Sequence, residues 1–388
     1  MALVNKTFSD IITFTRASTA TYFNSAGVLT SAATNAPRFD YDPSTLAAQG
    51  LLIEEARTNL VLQSKDFATT WGQSGSPTVS TNTTVAPDNT TTGDTIGSTT
   101  TASYVFQNIT FTGDGTKAFS IFIKQGTSTV NRLFVRDITA GLNRGQTDVT
   151  WTVGVPSVVV ANGSLLSLTQ LSNGWYRVQV AVDSVVAANS NQLRIQPDTA
   201  AGTGTVILWG AQLENGAFPT SYIPTTTTAL TRAADVASVN TLSPWYNAAT
   251  GTVYAEFDLY AFTAGQSYRF AFSDGTTSNQ LRARLAPSGT TQARHEVVNS
   301  GVSTTLGSPA TINLALTKEA FAYATNDYAG VVNNGTPSTS ATLTVPSVNV
   351  LQLGATVGGA TGILNGHLRR IVYYPRRLSN AELQSITS

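Results

Sequence analysis

The chain contains no cysteine, and that single absence excludes disulfide staples, thiolate metal sites and cysteine nucleophiles together. Stability must come from packing. Histidine is nearly as scarce, with two in 388 residues. His295 and His367 lie far apart in strand-like stretches and in no His-x-x-x-His or mixed Cys/His spacing, which argues against a zinc site. Charged residues make up only 11% of the chain, and Lys plus Arg balance Asp plus Glu at 22 each. No net field therefore draws the chain to nucleic acid or to an anionic membrane. No apolar run approaches the ~18 residues that span a bilayer, so membrane insertion is not expected. The opening stretch is broken by Asn5, Lys6, Ser9 and Asp10 before a signal-peptide core can form.

What is present is apolar content of 41% beneath a surface of Thr, Ser, Asn and Gln, enough to build cores and too much for a disordered chain. A length of 388 residues suggests two modules. Phe119, Ile121 and Ile123 alternate with Ser120, Phe122 and Lys124, and Tyr176, Val178, Val180 and Val182 alternate with Trp175, Arg177, Gln179 and Ala181. Val253, Ala255, Phe257 and Leu259 repeat the pattern further on. These are period-two strands separated by Gly, Asn and Asp turn signals, such as Asn24 to Gly27 and Asn333-Asn334-Gly335. The expected fold class is all-β, with two antiparallel β-sandwich domains in tandem, for which the resemblance given below implies the jelly-roll form. Ser379 and Glu382 have capping-box spacing, so a short helical turn should close the chain, with Leu378 and Leu383 as a hydrophobic staple.

The stretch Thr205 to Asp235 organises the rest. Val206-Ile207-Leu208-Trp209 reads as a buried strand, after which Gly210, Gly216, Pro219 and Pro224 break regular structure and Thr225 to Thr228 form a polar connector. Its pattern W-G-A-Q-L-E-x-G-x-x-P-T-S-Y-I-P-T, from Trp209 to Thr225, resembles the closing strand and exit loop of carbohydrate-binding-module-like jelly rolls in bacteriophage virion proteins. The T-R-A-A-D that follows, Thr231 to Asp235, belongs to the same resemblance. So do Phe14 to Ser18, Pro37 to Asp42 and Gly50 to Leu60, which are similar to the N-terminal signature of those proteins. The ending from Gly366 through Tyr374 to Leu383 is similar to that of concanavalin-A-like, laminin-G-type sandwiches.

The resemblance implies four segments: an N-terminal attachment arm (1–62), a carbohydrate-binding-module-like jelly roll (63–224), a linker (225–239) and a laminin-G-like sandwich (240–388). Arg16, Arg38 and Arg57 in the arm are either solvated or locally paired, or they pack on a partner subunit.

No G-x-S-x-G elbow or phosphate-cradling loop is present, and Gly113-Asp114-Gly115 reads as a turn. Glu54 and Glu55 are adjacent, so a strand would point them to opposite sides. Glycosidase carboxylates can come from distant residues, so the residues alone leave hydrolysis open. Asp274 and Asn326-Asp327 are mild calcium candidates that turn formation also explains. No cofactor, metal site or catalytic residue is assigned.

Sugars stack on aromatic rings, so tryptophans in loop-like sequence are the natural glycan contacts. Trp71, Tyr104, Trp245 and Tyr246 are the candidates, with cover for module ends or for the seam between modules as the competing role. Trp175 and Trp209 read as core.

The resulting expectation is a non-enzymatic adhesion or decoration protein on the exterior of a phage particle, assembled in the host cytoplasm. It would attach to other virion proteins through the arm, take host-surface polysaccharide as candidate ligand, and form a homo-oligomer, a trimer by analogy to phage fibres. A glycan-degrading tail enzyme and a secreted bacterial lectin-like protein are the rivals.

Overall fold

The computed structural model describes residues 7–261, 266–286, 291–307, 310–359 and 361–388. Among them the strands form four large antiparallel sheets and two short strand pairs. No helix among the described residues is long and apolar enough to cross a membrane. The last seven helical residues, Asn380–Ile386, begin at the expected box: Ser379 Oγ accepts from Glu382 N, and the Glu382 carboxylate accepts from Ser379 N. Leu378 and Leu383 are both buried beside that helix. Gly335 N donates to Val332 O across the expected Asn-Asn-Gly turn.

The first sandwich packs two six-stranded sheets face to face. One is centred on Gly115–Gln125, flanked by Trp175–Val185 and Thr205–Asn215; the other on Val130–Asp137 and Asn191–Gln196. Period two decides which side chains meet. Phe119, Ile121, Ile123, Tyr176, Val178, Val180 and Val182 all enter one core with Leu208 and Leu213. Gly210 has φ of 62° at a bulge opposite Ser120 and Phe122, and a Cβ there would come within 2.8 Å of the Phe122 ring, so the glycine of the W-G-A-Q pattern is sterically required.

The second sandwich follows, with one sheet running from Thr13–Thr15 through Val236–Val239, Val350–Leu353 and Tyr268–Ser273 to Val302–Thr305. The other runs from Ser338–Ser340 through Thr250–Phe257 and Gly366–Tyr374 to Ala48–Ile53 and Phe39–Tyr41.

That membership corrects the expected arm. Residues 13–15 pair with Val236–Val239, and residues 51–53 pair with Gly366 to Leu368, so the N-terminal segment supplies strands to both sheets of the second sandwich. Phe14, Leu51 and Ile53 lie in its core. A hairpin of Ala20–Phe23 and Leu29–Ala32 folds back over the first sandwich instead, where Leu29 joins Phe122, Trp175, Trp209 and Tyr222 in a separate cluster. Both tryptophans are core as expected, but on the outward face of their sheet, under this hairpin. The expected linker is structured too: Leu230–Arg232 pairs with Arg57–Asn59. The sequence showed no period here because each strand is three to six residues long and its partner lies far along the chain.

Candidate functional site

The four aromatic candidates fall in different settings. Trp71 is 5% exposed, packed on Phe67 at 4.8 Å within the first core, so it is not a surface ring. Tyr104 is half-buried on its sheet, with the Arg194 guanidinium 4.5 Å from its ring centre. Trp245 and Tyr246 close one end of the second sandwich: Trp245 meets Tyr373 at 5.1 Å, and Tyr246 stacks on Phe272 at 5.4 Å.

The residues of the phage-like signatures converge elsewhere, at the seam between the sandwiches. Arg16, Arg38 and Arg232 surround Glu54 and Asp235, and all five side chains are almost wholly excluded from solvent. Arg16 Nη1 reaches Asp235 Oδ1 at 3.0 Å, Arg38 Nη1 reaches Glu54 Oε2 at 2.8 Å, and Arg38 Nη2 pairs with Asp235 Oδ2. Glu54 also accepts from Ser221 N and Ser221 Oγ, each at 2.7 Å, which ties in the exit loop. Burial alone would raise the Glu54 carboxyl, but Arg232 and Arg38 outweigh it and hold it at about 2. Of the two readings, solvated or locally paired arginines and arginines packed on a partner subunit, the pairing alone holds: Arg16 and Arg38 are buried in ion pairs within the chain.

The same logic explains the remaining letters of the pattern. Gln212 is buried, donating to Glu214 Oε2 and accepting from Ile223 N, while Glu214 accepts from Thr220 N and Thr220 Oγ1. Gly216 leaves room for the Arg57 guanidinium, which lies 4.7 Å from the Phe218 ring centre. Arg57 pairs with Glu55, which is partly exposed beside buried Glu54 in the short connection between strands Ala48–Ile53 and Arg57–Asn59. These residues therefore form a polar keystone.

A cleft of about 320 Å³ opens beside this keystone. Its floor is the outward face of Trp175–Val185, where Arg177 and Gln179 stand, with Ser167 and Thr169 from the neighbouring strand. One wall is the N-terminal hairpin with Tyr22 and Phe23 and the edge strand Phe39–Tyr41 with Asp40 and Tyr41, followed by Asp42. The other walls are the exit loop, with Phe218 and Tyr222, and Leu259 and Tyr260 of the second sandwich. Tyr22, Phe23, Tyr41 and Tyr260 are only half-buried, so ring surface faces the opening.

The cleft carboxylates are already engaged. Asp40 Oδ1 accepts from Phe23 N at 2.7 Å and Oδ2 from His367 Nε2 at 3.1 Å. His367 Nδ1 donates to Asp258 at 2.8 Å, and Arg369 caps the other oxygen of Asp258. Burial alone would depress the imidazole, but the bonds to Asp258 and Asp40 raise it to about 9, so it is a cation at neutral pH. Burial works the other way on Asp42, yet the N–H groups of Thr45 and Ser44 outweigh it and hold that carboxyl below its ordinary range. Asp274, a calcium candidate, spends its carboxylate on Thr276 and Asn279.

Sequence reasoning missed this cleft because its lining comes from distant segments. The one readable hint was period two, which already put Arg177 and Gln179 together on the face away from the core.

No family model matches the chain, and no curated protein matches it either. Among solved structures, the CBM40 of Ruminococcus gnavus IT-sialidase is 16% identical with a TM-score of 0.30, over 37% of this chain and 84% of that one. Mouse laminin α1 domains LG4-5 are 9% identical with a TM-score of 0.29, over 85% and 91%. The CBM22 tandem of Paenibacillus barcinonensis Xyn10C is 10% identical with a TM-score of 0.28, over 83% and 99%. The chain shares all-β sandwich architecture with these proteins, and likeness at this level carries no ligand or activity across.

Proposed function

We propose that this chain is a non-enzymatic adhesion protein of a bacteriophage particle that binds surface polysaccharide of its bacterial host in the seam cleft. The observation that carries the glycan reading is the cleft itself: half-buried Tyr22, Tyr41 and Tyr260 line it beside the polar side chains of Gln49, Ser167, Thr169 and Gln179, and aromatic rings are stacking partners for sugars. Its volume is near the lower end of the range for ligand pockets, suited to one or two sugar units of a longer chain. Many copies on one particle would multiply such weak contacts.

The non-enzymatic part rests on the state of the carboxylates. A glycosidase needs a general acid whose pKa is raised, whereas Asp42 is held down and Asp40 is occupied by Phe23 N and His367. The virion setting rests on the signature residues from Phe14 to Asp235, and attachment to other virion proteins belongs to the same proposal. Homo-oligomerisation, as a trimer by analogy with phage fibres, has support in Val155, Val159, Leu165 and Leu166, which are exposed on strands Val155–Ala161 and Gly163–Gln170 at the sheet edges.

The test is an array of bacterial capsular and O-antigen polysaccharides probed with the full chain and with Tyr22→Ala and Tyr41→Ala. Binding to at least one polysaccharide, weakened ~10-fold or more by either substitution, is the expected result. An array without a bound polysaccharide overturns the adhesion reading. Mass spectrometry of purified particles of the encoding phage tests the virion setting, and absence of the chain from them would reject it.

A further inference from the structure

Seven arginines are buried among the described residues: Arg16, Arg38, Arg57, Arg177, Arg232, Arg269 and Arg284. Six of them have a carboxylate within 4.0 Å. Arg177 is the exception. Its Nη2 donates to two neutral oxygens, Ser120 Oγ at 3.1 Å and Thr220 O at 2.7 Å, and its Nε is buried with no acceptor. It is 8% exposed and forms part of the cleft floor, with its guanidinium 5.4 Å from the Phe122 ring centre.

A buried guanidinium without a counter-ion is costly, and the fold elsewhere does not tolerate one. Burial holds the guanidinium below its ordinary pKa; Glu214, Glu54 and Asp40 act on it without forming an ion pair, and together they do not outweigh that burial. With Nη2 spent on Ser120 and Thr220 and Nε enclosed, Nη1 is the edge of the guanidinium left to take a carboxylate held on a pyranose ring.

We propose that the cleft selects acidic sugars, a hexuronate or a nonulosonate unit of a polysaccharide, by seating the sugar carboxylate on Arg177. The inference rests on the glycan reading of the cleft. The ring of the same unit lies against the tyrosine walls, so charge and stacking act on one residue of the polymer. Neutral sugars would stack but leave Arg177 unpaired.

The experiment is calorimetric titration of the full chain with methyl glucuronide, methyl glucoside and the methyl glycoside of N-acetylneuraminic acid. One or both acidic sugars should bind ~10-fold or more tightly than the glucoside, and whichever binds distinguishes hexuronate from nonulosonate. That preference should shrink as NaCl is raised and vanish in Arg177→Gln. Since Arg177 has no carboxylate within 4.0 Å in the free protein, Arg177→Gln should lower the melting temperature less than Arg269→Gln, which breaks a buried ion pair with Glu319. If Arg177→Gln fails to fold, Arg177→Lys, which keeps the charge and loses the guanidinium, should retain only part of the preference. Equal binding of glucoside and both acidic sugars overturns the inference and leaves the glycan reading standing. Failure to bind any of the three overturns both.

Discussion

Arg16 and Asp235, 219 residues apart in the chain, meet at 3.0 Å with neither side chain exposed to solvent. The pair sits where the N-terminal segment, the exit loop and the second sandwich join, and it is the reason short motifs scattered over two-thirds of the sequence belong together. Each motif contributes at least one charged or polar member of a single buried cluster, and Thr231 to Asp235 contributes two.

Asp235→Asn should therefore cost about 3–5 kcal/mol in urea denaturation, since it leaves buried Arg16 and Arg38 short of countercharge. Disrupting the half-exposed pair of Arg132 and Asp148 should cost about 1 kcal/mol or less. Equal effects would mean that the buried cluster does not govern stability.

Stability should also depend on pH through His367. Its pKa is raised in the folded protein to about 9 from an ordinary value of 6.5, so its contribution is complete below 6.5 and is lost as pH rises through 9. The full effect is about 3 kcal/mol. Melting temperatures measured across that interval should fall in the native protein and stay flatter in His367→Gln. A native profile that rises instead would contradict a charged His367 between two carboxylates.

Cleavage in the exposed stretch 226–231 should not release two independent pieces, because residues 13–15 and 51–53 stay paired to the second sandwich. Nicked protein should elute as one species in gel filtration. Residues 61–224 expressed alone should fold, while 225–388 alone should not, lacking Phe14, Leu51 and Ile53 from its core. A folded, monomeric 225–388 fragment would refute the shared core.

Purified protein should release no reducing ends from any polysaccharide it binds, and Asp40→Asn should change nothing. Activity lost on substituting Asp40 or Asp42 would make the cleft a hydrolytic site.

Sheets were legible where one strand carried enough alternation to define its own buried face, as with Phe119-Ile121-Ile123 and Tyr176-Val178-Val180. The capping box at Ser379 and Glu382 was legible for the same local reason. The keystone was visible only as motifs, since nothing in Thr-Arg-Ala-Ser or Pro-Arg-Phe-Asp announces that its arginine ends beside Glu54. The cleft was not legible, because Tyr22, Arg177 and Tyr260 come from three segments that only the tertiary fold brings together. Trp71 looked like a surface ring beside Gly72, yet Phe67, four residues earlier, draws it inward.

The shared strands also impose a timetable on synthesis. Ile53 leaves the ribosome long before its partner Gly366, and at ~5–20 residues per second the wait is roughly 15–60 s. During that interval an apolar strand edge stands open to other chains. The hairpin at residues 20–32 offers a resting place, since Leu29 can dock on Trp209 and Tyr222 as soon as the first sandwich closes. Nascent chains stalled near residue 260, with the ribosome covering the last stretch, should protect the amides of 29–32 from exchange while those of 51 and 53, on the edge that later meets 366–368, remain open. The first sandwich then serves its neighbour as a scaffold in time as well as in space, holding the early strands near the place where the last ones will arrive.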